Sequence, residues 1–136
     1  MPHAFNFVSE HFYDTKKQGI TVPVELSNGP NIVQVDAKLD SGASFCIFER
    51  TYAEMLEVDV EQGIPELVST PTGTFQVFGH WMTITALGFR FDSMIRFAAE
   101  DRIRRNVIGR RGWIDQVRLC LIEHDGALYL SKYDDE

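Results

Sequence analysis

Cysteine is scarce in this sequence, and the placement of the two that occur excludes the common structural uses of thiols. Cys46 and Cys120 each lie inside an apolar run, outside any Cys-x-x-Cys pair and any Cys/His set with zinc spacing. The histidines are scattered in the same way. We therefore expect no metal site and no cofactor. Both cysteines are expected to be buried free thiols, as in proteins of reducing compartments.

Long hydrophobic runs are also missing. No apolar stretch approaches the roughly 20 residues that a helix needs to cross a bilayer. The first residues lack the basic flank and apolar core of a signal peptide. These absences predict a cytoplasmic protein with no membrane partner.

Positive charge is in deficit, because 13 Lys and Arg residues face 20 Asp and Glu residues and leave a formal net charge of −7. An acidic surface repels phosphate, so we expect no nucleic-acid partner. The local exception is a run of arginines that is typical of a solvated face or a subunit contact, namely Arg102, Arg104, Arg105, Arg110 and Arg111.

The sequence does contain a regular alternation of apolar and polar residues. The chain has 136 residues, of which 44% are hydrophobic, enough for one domain with a buried core. Apolar and polar residues alternate in short segments separated by turn signals, as in 20–26 and 32–39 around the Ser-Asn-Gly-Pro-Asn turn. About eight or nine short strands and one or two short helices are expected. The pattern predicts a mainly β, single-domain, closed β-barrel.

The organisation along the chain follows from the same signals. We expect an N-terminal arm or strand over 1–19, the main domain over 20–131 and an acidic tail over 132–136, whose last three residues should be disordered. The clearest helix is predicted over 49–58. A hairpin with a Pro-Thr-Gly tip should precede two separate strands over 81–87 and 89–97, and an Asp-Gly turn should join the last two strands.

The segment most suggestive of chemistry is Leu39-Asp40-Ser41-Gly42-Ala43-Ser44. An alternating strand runs directly into a carboxylate, small residues follow, and the next apolar strand starts at Phe45. Leu39 and Phe45 should lie in the core. A carboxylate held near an apolar interior, yet reachable past small side chains, suits acid–base chemistry. Because an Asp-Ser-Gly triplet also fits a plain turn, its context must decide between the two interpretations.

That segment resembles the active-site signature of the retropepsin-like aspartic peptidases, which is an apolar residue, Asp, Thr or Ser, Gly and two small residues. Asn106-Val107-Ile108-Gly109-Arg110 resembles the second signature of the same family, two apolar residues and Gly before a short helix. Between them, the hairpin with Pro71, Thr72 and Gly73 at its tip occupies the place of the flap. The resemblance runs from about Ile20 to Ser131 and implies the acid-protease-like barrel.

The resemblance also implies a role for each matched position. Asp40 would be catalytic, and Ser41, in place of the commoner Thr, would hydrogen-bond across a dimer. Gly42 would supply backbone contacts near the substrate, beside Ala43. Ser44 stands where the family often binds the substrate main chain. The flap would consist of Pro71, Thr72, Gly73 and Thr74, and the residues packed behind the catalytic loop would be Ile108 and Gly109.

The Asp-Ser-Gly triplet occurs once, whereas a two-lobed aspartic peptidase needs two such triplets on one chain. The resemblance therefore implies an aspartic endopeptidase that is active as a homodimer, in which two Asp40 carboxylates activate water against a peptide or protein substrate. Two alternatives stay open. One is a dimeric peptide- or protein-binding module of the same fold without proteolytic activity. The other is a small β-barrel interaction domain in which Asp40 only caps a turn.

Overall fold

The computed structural model describes residues 1–135, and Glu136 lies outside the described residues. One α-helix and ten β-strands are found in this range: β1 (Ser9–Phe12), β2 (Ile20–Asn28), β3 (Asn31–Leu39), β4 (Cys46–Phe48), α1 (Arg50–Met55), β5 (Ile64–Thr70), β6 (Gly73–Ala86), β7 (Phe89–Ala98), β8 (Val107–Ile108), β9 (Val117–Ile122) and β10 (Ala127–Lys132). Short 3₁₀ turns cover Val60–Gln62, Ile114–Gln116 and Glu123–Asp125. None of the helices in residues 1–135 has the length and apolarity needed to span a bilayer.

Six strands close into a barrel, in the order β2-β3-β8-β4-β7-β6, and β6 pairs back onto β2. The closing pair is antiparallel and sets Leu26 opposite Ile84. β5 lies outside the ring as the hairpin partner of β6. The prediction of a mainly β, closed barrel is confirmed.

Alternating side chains fill the barrel. On β2 and β3 every second residue is buried, and these residues are Val22, Val24, Leu26, Val33, Val35 and Ala37. Trp113, which follows β8, is fully buried among them. Each large apolar side chain removed from water in this way contributes about 1.5–3 kcal/mol. The core thus comes from the period-two pattern seen in the sequence, together with Trp113 and a few residues from α1 and the segment after it, namely Ala53, Leu56 and Val60.

Two predicted elements differ in extent. The second strand of the predicted Pro-Thr-Gly hairpin and the strand predicted over 81–87 form one continuous strand, β6, in which Gly79 stays extended where a side chain would press on Met94. The helix expected over 49–58 ends at Met55, and Glu57 takes a positive φ of 58°. Side-chain amides of Asn28 and Asn31 donate to the Leu56 carbonyl oxygen and terminate the helix.

A second sheet of three strands, in the order β1-β10-β9, joins the N-terminal arm to the last hairpin. Lys132 still lies in β10, and Arg118 donates a hydrogen bond of 2.7 Å to the Asp135 carbonyl oxygen. The disorder expected for the last three residues stays a prediction for Asp134 and Asp135, and for Glu136 it lies outside the described residues. Cys120 is only half-buried, because β9 is an edge strand of this sheet.

Candidate active site

Asp40 lies directly after the end of β3, at the start of a tight loop. Its N–H donates to the Ile108 carbonyl oxygen at 3.0 Å, and its own carbonyl oxygen accepts from the Ala43 N–H at 3.1 Å. The Gly42 N–H donates to the Asp40 Oδ1 atom at 2.8 Å. The carboxylate is half-buried and is oriented by a backbone donor from its own loop. Ser41, Gly42 and Ser44 are exposed in the single chain.

β8 supports this loop from behind. β3 and β8 run parallel, with Leu39 opposite Ile108, so that the chain after each strand leaves on the same side. Ile108 is fully buried. Gly109 lies against the loop so closely that a β-carbon there would come within 2.6 Å of the Ala43 carbonyl oxygen. The Arg110 N–H donates to that same oxygen at 2.9 Å.

Asn106, directly before β8, holds residues on both sides of the Asp40 loop, Lys38 before it and Glu49 after it. Asn106 had no role in the sequence-based interpretation. Its carbonyl oxygen accepts from the Lys38 N–H at 2.9 Å. Its side-chain Oδ1 accepts from the Glu49 N–H at 3.0 Å, and its Nδ2 donates to the Glu49 carboxylate. Through its backbone and its side chain together, this one residue links β3 and β8 to Glu49 at the start of α1. The signal in the sequence was an Asn immediately before the apolar-apolar-Gly motif.

A second apolar cluster lies between the Asp40 loop and the β5–β6 hairpin. Ala43 is buried in it, together with Ile47, Phe75, Val77 and Val107. Partly buried residues pack on its edge, namely Phe45, Val68 and Ile103. We call these eight residues the cleft floor. Phe75 and Ile103 had no role in the sequence-based interpretation, since only the folded barrel brings them beside Ala43.

The predicted flap is the turn between β5 and β6. Thr70 pairs with Gly73 across the two-residue turn Pro71-Thr72, and the Thr70 Oγ1 donates to the Gly73 carbonyl oxygen at 2.9 Å. Gly73 has a φ of 139°, which L-residues with a side chain rarely adopt. The tip is exposed, and so is Thr74. A cavity of about 340 Å³ lies between this hairpin and residues 102–105.

One sequence expectation about the surroundings needs correction. Leu39 and Phe45 are half-buried and not core residues. The Arg96 guanidinium covers the Phe45 ring at 3.7 Å from its centroid, and Glu66 holds that guanidinium in an ion pair of 3.1 Å. The arginine run is exposed at four positions, whereas Arg105 is half-buried beside the cleft floor.

Cys46 follows the Asp40 loop closely in the chain, but it is unsuited to nucleophilic chemistry. It is completely buried at the start of β4. Burial raises the pKa of the Cys46 thiol to about 12. The thiolate is the reactive form of cysteine, so this residue stays inert near neutral pH. The group near the cleft that suits proton transfer is the Asp40 carboxylate.

The closed barrel, the loop supported by β8 and the β5–β6 hairpin together define the retropepsin-like fold. The chain is similar in structure to a retropepsin-like aspartic protease from Rickettsia conorii, with a TM-score of 0.69, 15% identity, and coverage of 91% of this chain and 99% of the other. It is also similar to EIAV protease, solved in complex with the inhibitor HBY-793, with a TM-score of 0.54, 20% identity, and coverage of 69% and 84%.

No protein-family model and no curated protein sequence matches this chain. At these identities the structural similarity shows the fold, and the chemistry has to be argued from the residues of the site itself.

Proposed function

We propose that this protein is an aspartic endopeptidase that acts as a homodimer, with Asp40 of each chain forming the catalytic pair. One observation carries the proposal. The Asp40 carboxylate is half-exposed at the end of β3, and its Oδ1 accepts a hydrogen bond from the Gly42 N–H in a loop of small residues. The hydrogen bond from the Gly42 N–H also occurs in an ordinary Asx turn; what sets this loop apart from a plain turn is that β8 and Gly109 hold it from behind.

A dimer is needed because each chain offers one such carboxylate. Across a two-fold axis the same loop meets itself, so the two Asp40 side chains would face each other. The exposure of Ser41 and Gly42 in the single chain supports this arrangement, since neither is covered by its own chain. Ser41 would then hydrogen-bond to the partner loop through its hydroxyl.

The chemistry follows from charge. Two carboxylates a few ångströms apart cannot both be ionised at low energetic cost, so the pair would share one proton. The ionised carboxylate accepts a proton from a bound water, and the protonated one donates to the carbonyl oxygen of the scissile peptide. The water oxygen attacks the carbonyl carbon to give a tetrahedral diol. The proton taken from water is then delivered to the amide nitrogen, the C–N bond breaks to release the amine, and a diol hydroxyl returns its proton to the carboxylate pair.

The substrate would be an extended peptide between the cleft floor and the flap. An extended chain can pair its main chain with exposed backbone groups, and here Gly42, Ser44 and the Gly73 region of the hairpin are exposed. The partly buried members of the cleft floor, Phe45, Val68 and Ile103, offer an apolar surface that substrate side chains would contact.

We also propose that residues 20–131 form the peptidase domain and that the protein is cytoplasmic. The N-terminal arm contributes β1 to the sheet with β10, so it adds to the body of the fold. The free state of Cys46 and Cys120 fits a reducing compartment.

The test is cleavage of an unfolded protein and of a fluorogenic peptide library by the full chain. Wild-type protein should cleave, and Asp40→Asn should lower kcat by at least about 10³-fold, since removal of the charge removes the proton acceptor. Asp36→Asn is the matched control, because Asp36 is an exposed carboxylate on β3, the strand that leads into Asp40.

The oligomeric state is measured by sedimentation in parallel. A strictly monomeric wild-type protein, or equal cleavage by Asp40→Asn and wild type, would overturn the proposal. Peptide binding with no cleavage would replace it with a non-catalytic binding module of the same fold.

A further inference from the structure

We propose that the cleft selects substrates with an acidic side chain close to the scissile bond, and that Arg105 binds this side chain. The inference rests on the proposed function and adds a substrate class to it. Its basis is the position of Arg105 between the cleft floor and the flap, together with the ion pairs that the neighbouring arginines form.

Arg105 belongs to the substrate side of the molecule. It lies between Ile103 and Val107 in the chain, and both of these residues pack into the cleft floor with Ala43. Arg105 also lines the cavity of about 340 Å³ whose other wall is the flap, including Thr72 and Gly73. A peptide held under the flap would therefore pass the Arg105 guanidinium.

The neighbouring arginines already have partners. Arg102 forms an ion pair with Glu100 at 2.5 Å, and Arg104 forms one with Glu49 at 3.3 Å. For Arg105, in contrast, residues 1–135 supply neither an ion pair nor a side-chain hydrogen bond, although the residue is half-buried. A guanidinium carries five N–H donors and matches a carboxylate with two parallel hydrogen bonds. Arg102 and Arg104 line the same cavity, and Arg105 is thus the cation of this wall that has no carboxylate partner within residues 1–135.

The chemistry of the ligand follows from this placement. The formal net charge of the chain is −7, so the general surface repels acidic peptides and polynucleotides alike. A polynucleotide needs a row of cations along its backbone, whereas the unpaired cation facing the flap is one guanidinium above an apolar floor. A peptide with one Glu or Asp among apolar residues fits both features.

The experiment measures binding of labelled peptides to full-length Asp40→Asn protein, in which cleavage does not interfere. Three pools of fluorescein-labelled 12-residue peptides carry Glu, Gln or Lys at one central position and are random elsewhere. By fluorescence anisotropy we expect the Glu pool to bind about tenfold more tightly than the Gln pool, as a charged hydrogen bond provides. The Lys pool should bind most weakly.

Substitutions then assign the preference to one side chain. Arg105→Gln should abolish the difference between the Glu and Gln pools, and Arg105→Lys should keep part of it. Arg90→Gln is the matched control, because it removes the same charge from an exposed position on β7. Circular dichroism of each variant checks folding, and Arg105→Lys supplies the answer if Arg105→Gln does not fold.

Several results would overturn the inference. These are equal affinity for the Glu and Gln pools, no binding of any pool, or an equal loss of preference in Arg90→Gln. Tighter binding of a labelled single-stranded oligonucleotide than of the Glu pool would replace it with a nucleic-acid site. A parallel cleavage assay with wild-type protein separates the two proposals: if no pool is cut while the Glu preference persists, the proposed catalysis fails and the acidic selectivity stands.

Discussion

Gly109 and Ala43 are packed backbone to backbone, so that a β-carbon on Gly109 would stand only 2.6 Å from the Ala43 carbonyl oxygen. The carbonyl of Phe45 is closer still to that position. Backbone atoms on both sides cannot rotate away as a flexible side chain can. The close approach therefore fixes the distance between β8 and the loop that carries Asp40.

Gly109→Ala should destabilise the fold and displace the loop. Forcing a methyl group into a packed site typically costs about 1–3 kcal/mol, and here the neighbours are backbone. We expect a decrease in Tm of roughly 10 °C in differential scanning calorimetry and a loss of peptidase activity. Gly29→Ala is the control, because no atom lies within 4 Å of the β-carbon built there. Equal stability of Gly109→Ala and wild type would show that the contact between Gly109 and the loop accommodates a methyl group.

Asn106→Ala should destabilise the protein by about 1–3 kcal/mol in urea unfolding. The substitution leaves the Glu49 N–H without its partner and removes the Asn106 donor from the largely buried Glu49 carboxylate, whose side chain is 16% exposed and keeps only the exposed Arg104. Glu49→Gln keeps an oxygen that accepts from Asn106 and should lose much less stability. If both variants lose the same amount, the charge of Glu49, and not the bonds to Asn106, stabilises this corner.

Gly73→Ala should impair the flap while leaving the barrel intact. Gly73 has a φ of 139°, and an alanine would strain the turn or change its shape. Kinetics with a fluorogenic peptide should show a raised KM or a lowered kcat. Gly88→Ala is the matched control: Gly88 also has a positive φ, of 88°, in a hairpin turn remote from the flap, with open space around it. Comparable kinetic losses in the two variants would argue against a role for the tip.

The buried thiol of Cys46 should make stability depend on alkaline pH. Its pKa in the folded protein is raised from an ordinary value of 9.0 to about 12 by burial. The unfolded chain therefore loses this proton first, and stability that is complete below pH 9 decreases by up to about 1.4 kcal/mol per pH unit as pH rises towards 12.

Urea unfolding between pH 8 and pH 11 measures this slope, and Cys46→Ala should flatten it. Burial and the hydrogen bond donated to Glu123 also raise the pKa of Tyr13, to about 12, so Tyr13→Phe is needed as a parallel variant. An unchanged slope in Cys46→Ala would assign the alkaline loss to other groups. A thiol reagent at pH 8 should leave Cys46 unmodified until the protein unfolds.

The parts of the site that the sequence could predict are those encoded locally. Asp40 and its small neighbours follow one alternating strand, and Ile108-Gly109 stands in a short motif of its own, so both were recognisable without a structure. The support by Asn106 depends on Glu49, which is 57 positions away in the chain. Arg105 and Phe75 become neighbours of the cleft only when the barrel closes, so the local sequence around either residue does not predict that position.

The extent of β6 shows the same limit for the fold. The sequence pattern separates the hairpin strand after Gly73 from the strand predicted over 81–87, yet pairing with β5 and β7 keeps the chain extended through Gly79. Conversely, the helix after β4 was predicted too long. Its residues favour a helix, but the amides of Asn28 and Asn31, brought from the β2–β3 turn, end it early. Tertiary contacts outweighed local propensity in both cases.

β6 extends from the flap turn at Gly73 to the pairs with β2 that begin at Thr83, and at about 3.3 Å per residue its 14 residues span roughly 45 Å. The hairpin over the cleft and the seam of the barrel are therefore two ends of one rigid ribbon. Mechanical load applied to the hairpin by a tightly held ligand is transmitted along this ribbon to the seam. Movement of the hairpin and closure of the barrel therefore depend on the same strand, β6.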